Sequence, residues 1–346
     1  MRAAVYHGVG DVRLEDVEEP EVGPGEVKLA VVLNGLCGTD LHEVFDSQRA
    51  VPSSPHPLTG VTAPVILGHE IGGTVVEVGA GVDDLEIGAL VAVEPLHRCG
   101  ACPSCDAGDV NLCDRLAFHG LSTRGGGLAE RTVVRREMVH LAPAGVTGEG
   151  AAMAEPLSVA WHAVDRTGAR SGQAAAVLGG GPIGIGILLT LRLRGVDAFV
   201  VEPSPDRRAA VAALGATALD PADGPVPEQL RAFTGGRGVD VCFETSAVVA
   251  SLENALGATA KHGVVMLLAS PRQPLPAVLG LALAKELDLR TTYAYRGEFP
   301  AVLEAIAAGG FPFDGWVTTM PLSRIDEALA GMRAGHLLKV LVDPTA

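Results

Sequence analysis

The chain has no run of lysines or arginines, no stretch approaching about 18 uncharged apolar residues, and no internal repeat, low-complexity tract or long linker. With 26 Lys and Arg against 41 Asp and Glu, a formal charge of −15 argues against a nucleic-acid surface and an anionic membrane as partners. The missing apolar stretch excludes a membrane-spanning helix. The opening MRAAVYHGVGDVRLEDV also lacks the basic region and apolar core of a secretory leader, so a cytoplasmic protein is expected. Charged residues are only 19% of the chain, and cysteines number six.

Apolar residues are plentiful, at 48%, and 346 residues suit two domains better than one core. Up to about residue 150, short apolar runs broken by glycine and proline (EVKLAVVLNGL, GGTVVEVGAGV, ALVAVEP, LAERTVVRREMVHLAP) read as strands of a compact β domain. From Gln173 the texture changes to alternating units: AAAVLGGG then PIGIGILLTLRLRG, AFVVEP then DRRAAVAALG, VDVCFETS then SLENALGATAKHG, and VVMLLAS. Alternation of strand and helix predicts an α/β unit, a parallel sheet with helices on both faces. The closing FPAVLEAIAAGG, WVTTMPLSRIDEALAGMRAG and KVLVDP fit neither another such unit nor a tail, and are expected to return to the first domain.

Four of the six cysteines fall within fifteen residues, as Cys99, Cys102, Cys105 and Cys113 in CGACPSCDAGDVNLC. Four thiolates from one short loop close a tetrahedron around Zn²⁺ with no position left for substrate, so a structural zinc is expected. Two disulfides are the plain alternative, though CxxC pairs without a secretory leader more often bind metal or do redox work. Iron–sulfur clusters also take four thiolates, but their common spacings differ.

AAAVLGGGPIGIG carries Gly179, Gly181 and Gly184, with Pro182 and Ile183 between the last two, after an apolar strand and before a plausible helix. Such glycines let backbone approach a pyrophosphate, and the helix N-terminus offers it unpaired amides. Alone the pattern is weak in a chain with 44 glycines. Glu202 closes the next strand, 18 residues beyond Gly184, where a carboxylate accepts bonds from both adenosine ribose hydroxyls and repels a 2′-phosphate. NAD is therefore expected as cofactor over NADP, with Arg207 and Arg208 as the residues that could soften that preference.

Two cysteines remain. Cys242 lies in an apolar strand, where a buried small hydrophobe is the ordinary reading. Cys37 sits in a glycine-flanked turn with Thr39, Asp40 and His42 behind it, His69 and Glu70 occupy a glycine-rich bend, and Glu155 opens EPLSVAWHAV. Each alone is more often a surface, core or helix-end residue than a ligand. Together Cys37, His69 and Glu155, with Glu70 as a second carboxylate, make the three-ligand set of a catalytic zinc plausible, with one open position for a substrate oxygen.

GHEIGGTVVEVGAGV, the cysteine knot, CGTDLHEV, EPLSVAWHAV and VLGGGPIGIG, in this order over nearly the whole chain, resemble the zinc-dependent medium-chain dehydrogenases. The likeness is nearest the (R,R)-butanediol and sorbitol dehydrogenase branch, because Glu155 stands where conventional alcohol dehydrogenases place a second cysteine. HPLTGVTAPVILGHE and VVEPSPDRR point the same way. The resemblance implies a GroES-like β-rich catalytic domain over 1–153 and 293–346, and a Rossmann NAD-binding domain over 154–292. It implies two Zn²⁺ per chain. Cys37 and His69 match the constant catalytic ligands, and Glu70 and Glu155 the carboxylates that share the metal in a way left open here. Thr39 matches the hydroxyl that touches the bound alcohol, His42 a histidine that passes its proton to solvent, and Arg207 an arginine against the adenine. The loop Val44–Pro57 and His119 would frame the substrate, His119 either bonding a polyol or filling space. The implied activity is NAD-dependent oxidation of a secondary alcohol, a vicinal diol such as 2,3-butanediol or its acetoin couple, by a homodimer or homotetramer. A polyol or sugar-alcohol dehydrogenase is the alternative, and a non-catalytic NAD-binding homologue a further one.

Overall fold

The computed structural model describes residues 1–47, 50–269 and 279–346, Leu279 by its backbone alone. Gln48 and Arg49 of the expected substrate loop, and Ser270 after the last apolar run, lie outside them. The chain divides into two units, one of Met1–Glu155, Arg296–Gly309 and Trp316–Ala346, the other of Pro156–Tyr295 and Gly310–Gly315. The first division falls inside one continuous helix, Gly148–Thr167, so no change of composition marks it.

The first unit is built around the strand Glu26–Gly35, whose alternation buries Val27, Leu29 and Val31 on one face. It pairs antiparallel with Glu70–Val78, with Arg131–Arg135 and with the closing strand Lys339–Asp343. The resulting seven-stranded sheet runs Val139–Leu141, Leu90–Val93, Glu70–Val78, Glu26–Gly35, Lys339–Asp343, Val317–Pro321, with Arg131–Arg135 off this path. Val27, Leu29, Ile71, Val75, Val91 and Val134 pack as one core beneath it. A second core joins Tyr6 and Leu67 to Leu329, Val340 and Val342. That core draws the helix Ile325–Arg333 and the last strand onto the N-terminal strands, because the amphipathic helix has its apolar stripe to bury. The register sets Leu341 opposite Gly35 and Val342 opposite Asn34.

The second unit is a six-stranded parallel sheet in the order Thr217–Leu219, Asp197–Val201, Ala174–Leu178, Val239–Glu244, Thr259–Leu267, Asp288–Thr291. Numbered along the chain this is 3-2-1-4-5-6, the doubly wound order that opens a crevice beside the first strand's C-terminal end. Gly179 follows that end directly. No helix among the described residues is long and apolar enough to cross a membrane.

Candidate metal centres and nucleotide site

The four-cysteine segment is closed by a short antiparallel pair, with Leu96 opposite Phe118 and His97 opposite Ala117. Within that clamp the sulfurs of Cys99, Cys102, Cys105 and Cys113 all lie within 4.8 Å of one another, and all four are free thiols. Backbone N–H groups of Cys99 and Arg115 donate to Cys113 Sγ at 3.3 and 3.4 Å. The Ala101 N–H draws the Cys99 thiol down to about 6, while burial pushes Cys105 up to about 11. Four converging sulfurs, some already favoured as thiolates by backbone donors, fit a closed zinc cage.

Beside the clamp, the His97 and His119 rings stack at 5.8 Å. Burial pushes His97 down to about 4 and His119 to about 3, the latter with His97 adding to it. His119 is 3% exposed; its Nε2 lies 2.7 Å from Thr132 Oγ1 and its Nδ1 3.4 Å from Thr123 Oγ1. Its ring nitrogens are thus turned to protein hydroxyls, and the residue fills space.

A second cluster takes its donors from two elements. Cys37 is the N-cap of the helix Gly38–Phe45, and His69 and Glu70 stand where the strand Glu70–Val78 begins. One ligand atom from each of the three lies within 4.8 Å of the others. Thr39 Oγ1 is 3.7 Å from Cys37 Sγ. Glu155 is buried on the helix Gly148–Thr167 and does not join this group, nor does His42, which pairs with Asp46.

Two supporting residues had been given no role from the sequence. Asp40, fully buried, accepts the Cys37 N–H at 2.9 Å through one oxygen and sets the other 3.6 Å from His69 Nδ1. Its signal was the carboxylate three residues after an N-cap, the second half of a capping box. Lys339 is 1% exposed; its ammonium donates to Glu70 Oε2 and, at 2.9 Å, to the Leu36 carbonyl. A lone lysine in the apolar strand KVLVD was the trace it left. Glu70 runs so close to Gly35 that a Cβ there would collide with its carboxylate.

His69 Nδ1 and Asp40 Oδ1 are buried without a hydrogen-bond partner. Burial opposes a charge on His69, yet Asp40 and Cys37 outweigh it and its pKa stands well above the ordinary value. Thiol, imidazole and carboxylate gathered in this way fit a divalent metal with a position left open, and Asp40 fits the carboxylate that orients a ligating histidine from behind.

In the second unit, Gly179 has φ +118°, a conformation that a side chain rarely adopts, and a Cβ there would meet Thr245 Oγ1. A Cβ on Gly184 would strike the Gly179 carbonyl, so the turn and the helix Pro182–Leu193 close tightly. Gly181 is the N-cap of that helix and faces open space, with Arg207 Nη1 3.9 Å from where its Cβ would lie. Pro182 is the first helical residue and Ile183 the second. Glu202 is 3% exposed and accepts the Gly180 N–H at 2.7 Å and the Ser204 N–H at 2.8 Å. The sequence named Arg207 and Arg208 together, and the structure separates them. Arg208 donates to the Glu202 and Pro203 carbonyls and pairs with Asp220, whereas Arg207 stands 4.0 Å from the Glu202 carboxylate.

Two family models match the chain: an alcohol dehydrogenase GroES-like domain over residues 23–144 and a zinc-binding dehydrogenase domain over 182–308. The (R,R)-butanediol dehydrogenase of Bacillus subtilis is 37% identical, over 99% of this chain and all of its own length. The sorbitol dehydrogenase of the same species is 31% identical, over 89% of this chain and 86% of its own. Among solved structures, that of the Bacillus subtilis 2R,3R-butanediol dehydrogenase superposes with a TM-score of 0.93 at 35% identity, covering 99% of both chains. A zinc-binding dehydrogenase structure from Sinorhizobium meliloti, bound to NADP, gives 0.90 at 30% identity over 99% of both.

Proposed function

Because the chain belongs to the zinc-binding alcohol dehydrogenases with a GroES-like domain, we propose that it oxidises a vicinal diol, 2,3-butanediol to acetoin or a close relative, with NAD⁺ as hydride acceptor. The reverse reduction is equally allowed. The observation that carries this reading is the mixed donor group Cys37, His69 and Glu70, which differs in kind from the all-sulfur knot and has the three-ligand count of a zinc that takes a substrate oxygen as its fourth. When bound there, zinc supplies Lewis acidity that eases loss of the hydroxyl proton.

The chain's own residues do the rest. Cys37 and His69 would hold the metal with Glu70 as the carboxylate gathered beside them, and Asp40 faces the His69 ring from behind. The Thr39 hydroxyl, beside Cys37, receives the substrate hydroxyl, and His42 at the solvent edge carries the released proton away. Gly179, Gly181 and Gly184 admit the pyrophosphate to the helix N-terminus, where Pro182 and Ile183 begin the helix. Glu202 would take the adenosine ribose, and Arg207, 4.0 Å from that carboxylate, would lie against the adenine.

Support for NAD⁺ comes from the Glu202 carboxylate and from Arg208, whose guanidinium is engaged by Asp220 and two carbonyls. The NADP-bound relative makes that choice worth a direct test. Likeness to sorbitol dehydrogenase favours a polyol as second substrate class. A second zinc in the knot, a homodimer or homotetramer, and a cytoplasmic location, where free thiols such as these six persist, complete the proposal.

The test is turnover of both butanediol enantiomers, sorbitol, xylitol, threonine and simple secondary alcohols with NAD⁺ and with NADP⁺, beside a metal count. Diol oxidation with NAD⁺ and two zincs per chain is the expected result. A single zinc would remove the catalytic centre, and preference for NADP⁺ would sink the Glu202 argument.

A further inference from the structure

The helix Gly38–Phe45 opens on the metal cluster and ends on a different pair. His42 and Asp46 are four residues apart, hence neighbours on one face, and Nδ1 of His42 lies 2.8 Å from Oδ2 of Asp46. Their side chains are 47% and 34% exposed, so the pair stands where protein meets water. We propose that Asp46 is a positioning residue for proton release: it holds the His42 imidazole with its proton on Nδ1, which makes Nε2 the atom that takes up the proton released by way of Thr39. The inference rests on the dehydrogenase reading, with His42 as proton carrier, and adds to it a residue that reading does not use.

A neutral imidazole has one N–H and one lone pair, and an ionised carboxylate only accepts. A 2.8 Å contact from Nδ1 to the carboxylate therefore puts the proton on Nδ1 and the lone pair on Nε2. Oxidation of one alcohol yields one hydride, which goes to the nicotinamide, and one proton. Nε2 binds that proton and returns it to water, so His42 ends as it began and Asp46 never changes state. During the transfer the imidazolium is stabilised by the Asp46 charge and by the negative end of its own helix.

Asp46 is suited to this by backbone as well as side chain. It is the helix C-cap, and its N–H donates to the His42 carbonyl at 3.0 Å. The neighbouring Glu43 is turned inward, 1% exposed, with its carboxylate accepting the N–H groups of Ala50 and Val51 at 2.7 and 3.2 Å. From the helix Ile325–Arg333, the Arg333 guanidinium lies 4.4 Å over the Phe45 ring. Among the described residues, Asp46 is the carboxylate bonded to His42.

The experiment is histidine-selective ¹⁵N spectroscopy of the holoenzyme, with the His42 signals assigned from H42Q, together with kinetics. The neutral His42 ring is expected as the Nδ1–H form in the native chain, to shift towards Nε2–H in Asp46→Asn, and to return in Asp46→Glu. Asp46→Asn is expected to lower kcat about tenfold, part of the roughly 10²–10⁴ that a general acid–base group supplies, with KM for NAD⁺ unchanged. In the H42Q background it should have no further effect. An Nε2–H ring in the native chain overturns the inference, as does an Asp46→Asn loss equal in both backgrounds, which would mark a structural role. Failure of the dehydrogenase reading would instead show as no alcohol turnover by the native chain, whereas failure of the inference alone shows as normal turnover that Asp46→Asn leaves untouched.

Discussion

The two sulfur-bearing clusters of the first unit are built on opposite plans. The knot draws four like donors from a single segment whose ends are clamped by one strand pair, and the rings beside it, His97 and His119, are held neutral by burial. The second cluster draws three unlike donors from a helix N-cap and a strand start, and it is embedded in charge: Asp40 faces His69, and Lys339 grips Glu70 from a strand 269 residues away. A local cage of identical ligands would close on a metal and leave no position for substrate. A cluster assembled from distant elements can leave a position open, at the cost of needing buried charges to hold it.

Breaking each cluster in turn gives the largest contrast. Four-thiolate zinc binding is worth on the order of 10 kcal/mol, as much as a whole domain's net stability. Cys113→Ser is therefore expected to leave little folded protein, read by thermal melting and by soluble yield. Cys37→Ala should keep the melting temperature within a few degrees and one zinc per chain, while kcat falls by about 10³, the share expected of lost Lewis-acid help. Equal loss of fold in both variants would erase the distinction between cage and reaction centre.

Lys339 carries the next effect. Removing one partner of a buried ion pair leaves an uncompensated charge, which costs about 3–5 kcal/mol, whereas replacing both with apolar groups is often close to neutral. Lys339→Met should lower stability to urea by about that much, and Lys339→Met with Glu70→Leu should recover most of it. A single variant as stable as the native chain would mean that the pair does not anchor the cluster.

These plans also decide what could be read from the residues alone. The knot, the Gly179–Gly184 turn and Glu202 are each local in sequence, so spacing exposes them. The Lys339 grip on Glu70 exists only because Leu341 falls opposite Gly35 when the last strand joins the sheet, a register no local pattern encodes. Glu155 shows the converse: its residue type suits a ligand, but its helix does not bring it into the group with Cys37, His69 and Glu70. Asp40 was visible only as a neighbour of Cys37, and both its cap to the Cys37 N–H and its place at His69 needed the fold.

The neutral ground beside the knot predicts an acid response of its own. Burial holds folded His119 at about 3, while the unfolded chain binds a proton near the ordinary histidine value. Its contribution is intact above the unfolded value and is lost as pH falls towards the folded one, amounting to about 2 kcal/mol at pH 5. Urea midpoints of the native chain should fall between pH 8 and pH 5 with a steeper slope than those of His119→Gln. Identical slopes would place the acid sensitivity elsewhere.

The smallest effect is the most discriminating, because it touches neither set of ligands. Asp40→Asn keeps an oxygen for the Cys37 N–H and so spares the helix cap, but it removes the charge that faces His69. Outer partners of ligating histidines typically contribute about 10–100-fold in metal affinity, because they fix the ring and raise its basicity. Competition with a chelator should therefore strip one zinc per chain at about tenfold lower chelator concentration, with the knot's zinc unaffected. If both zincs leave together, the two clusters are coupled through the unit and the knot is no independent staple. If neither is weakened, Asp40 is a cap and nothing more, and the charge around the second cluster acts through Lys339 and Glu70 alone.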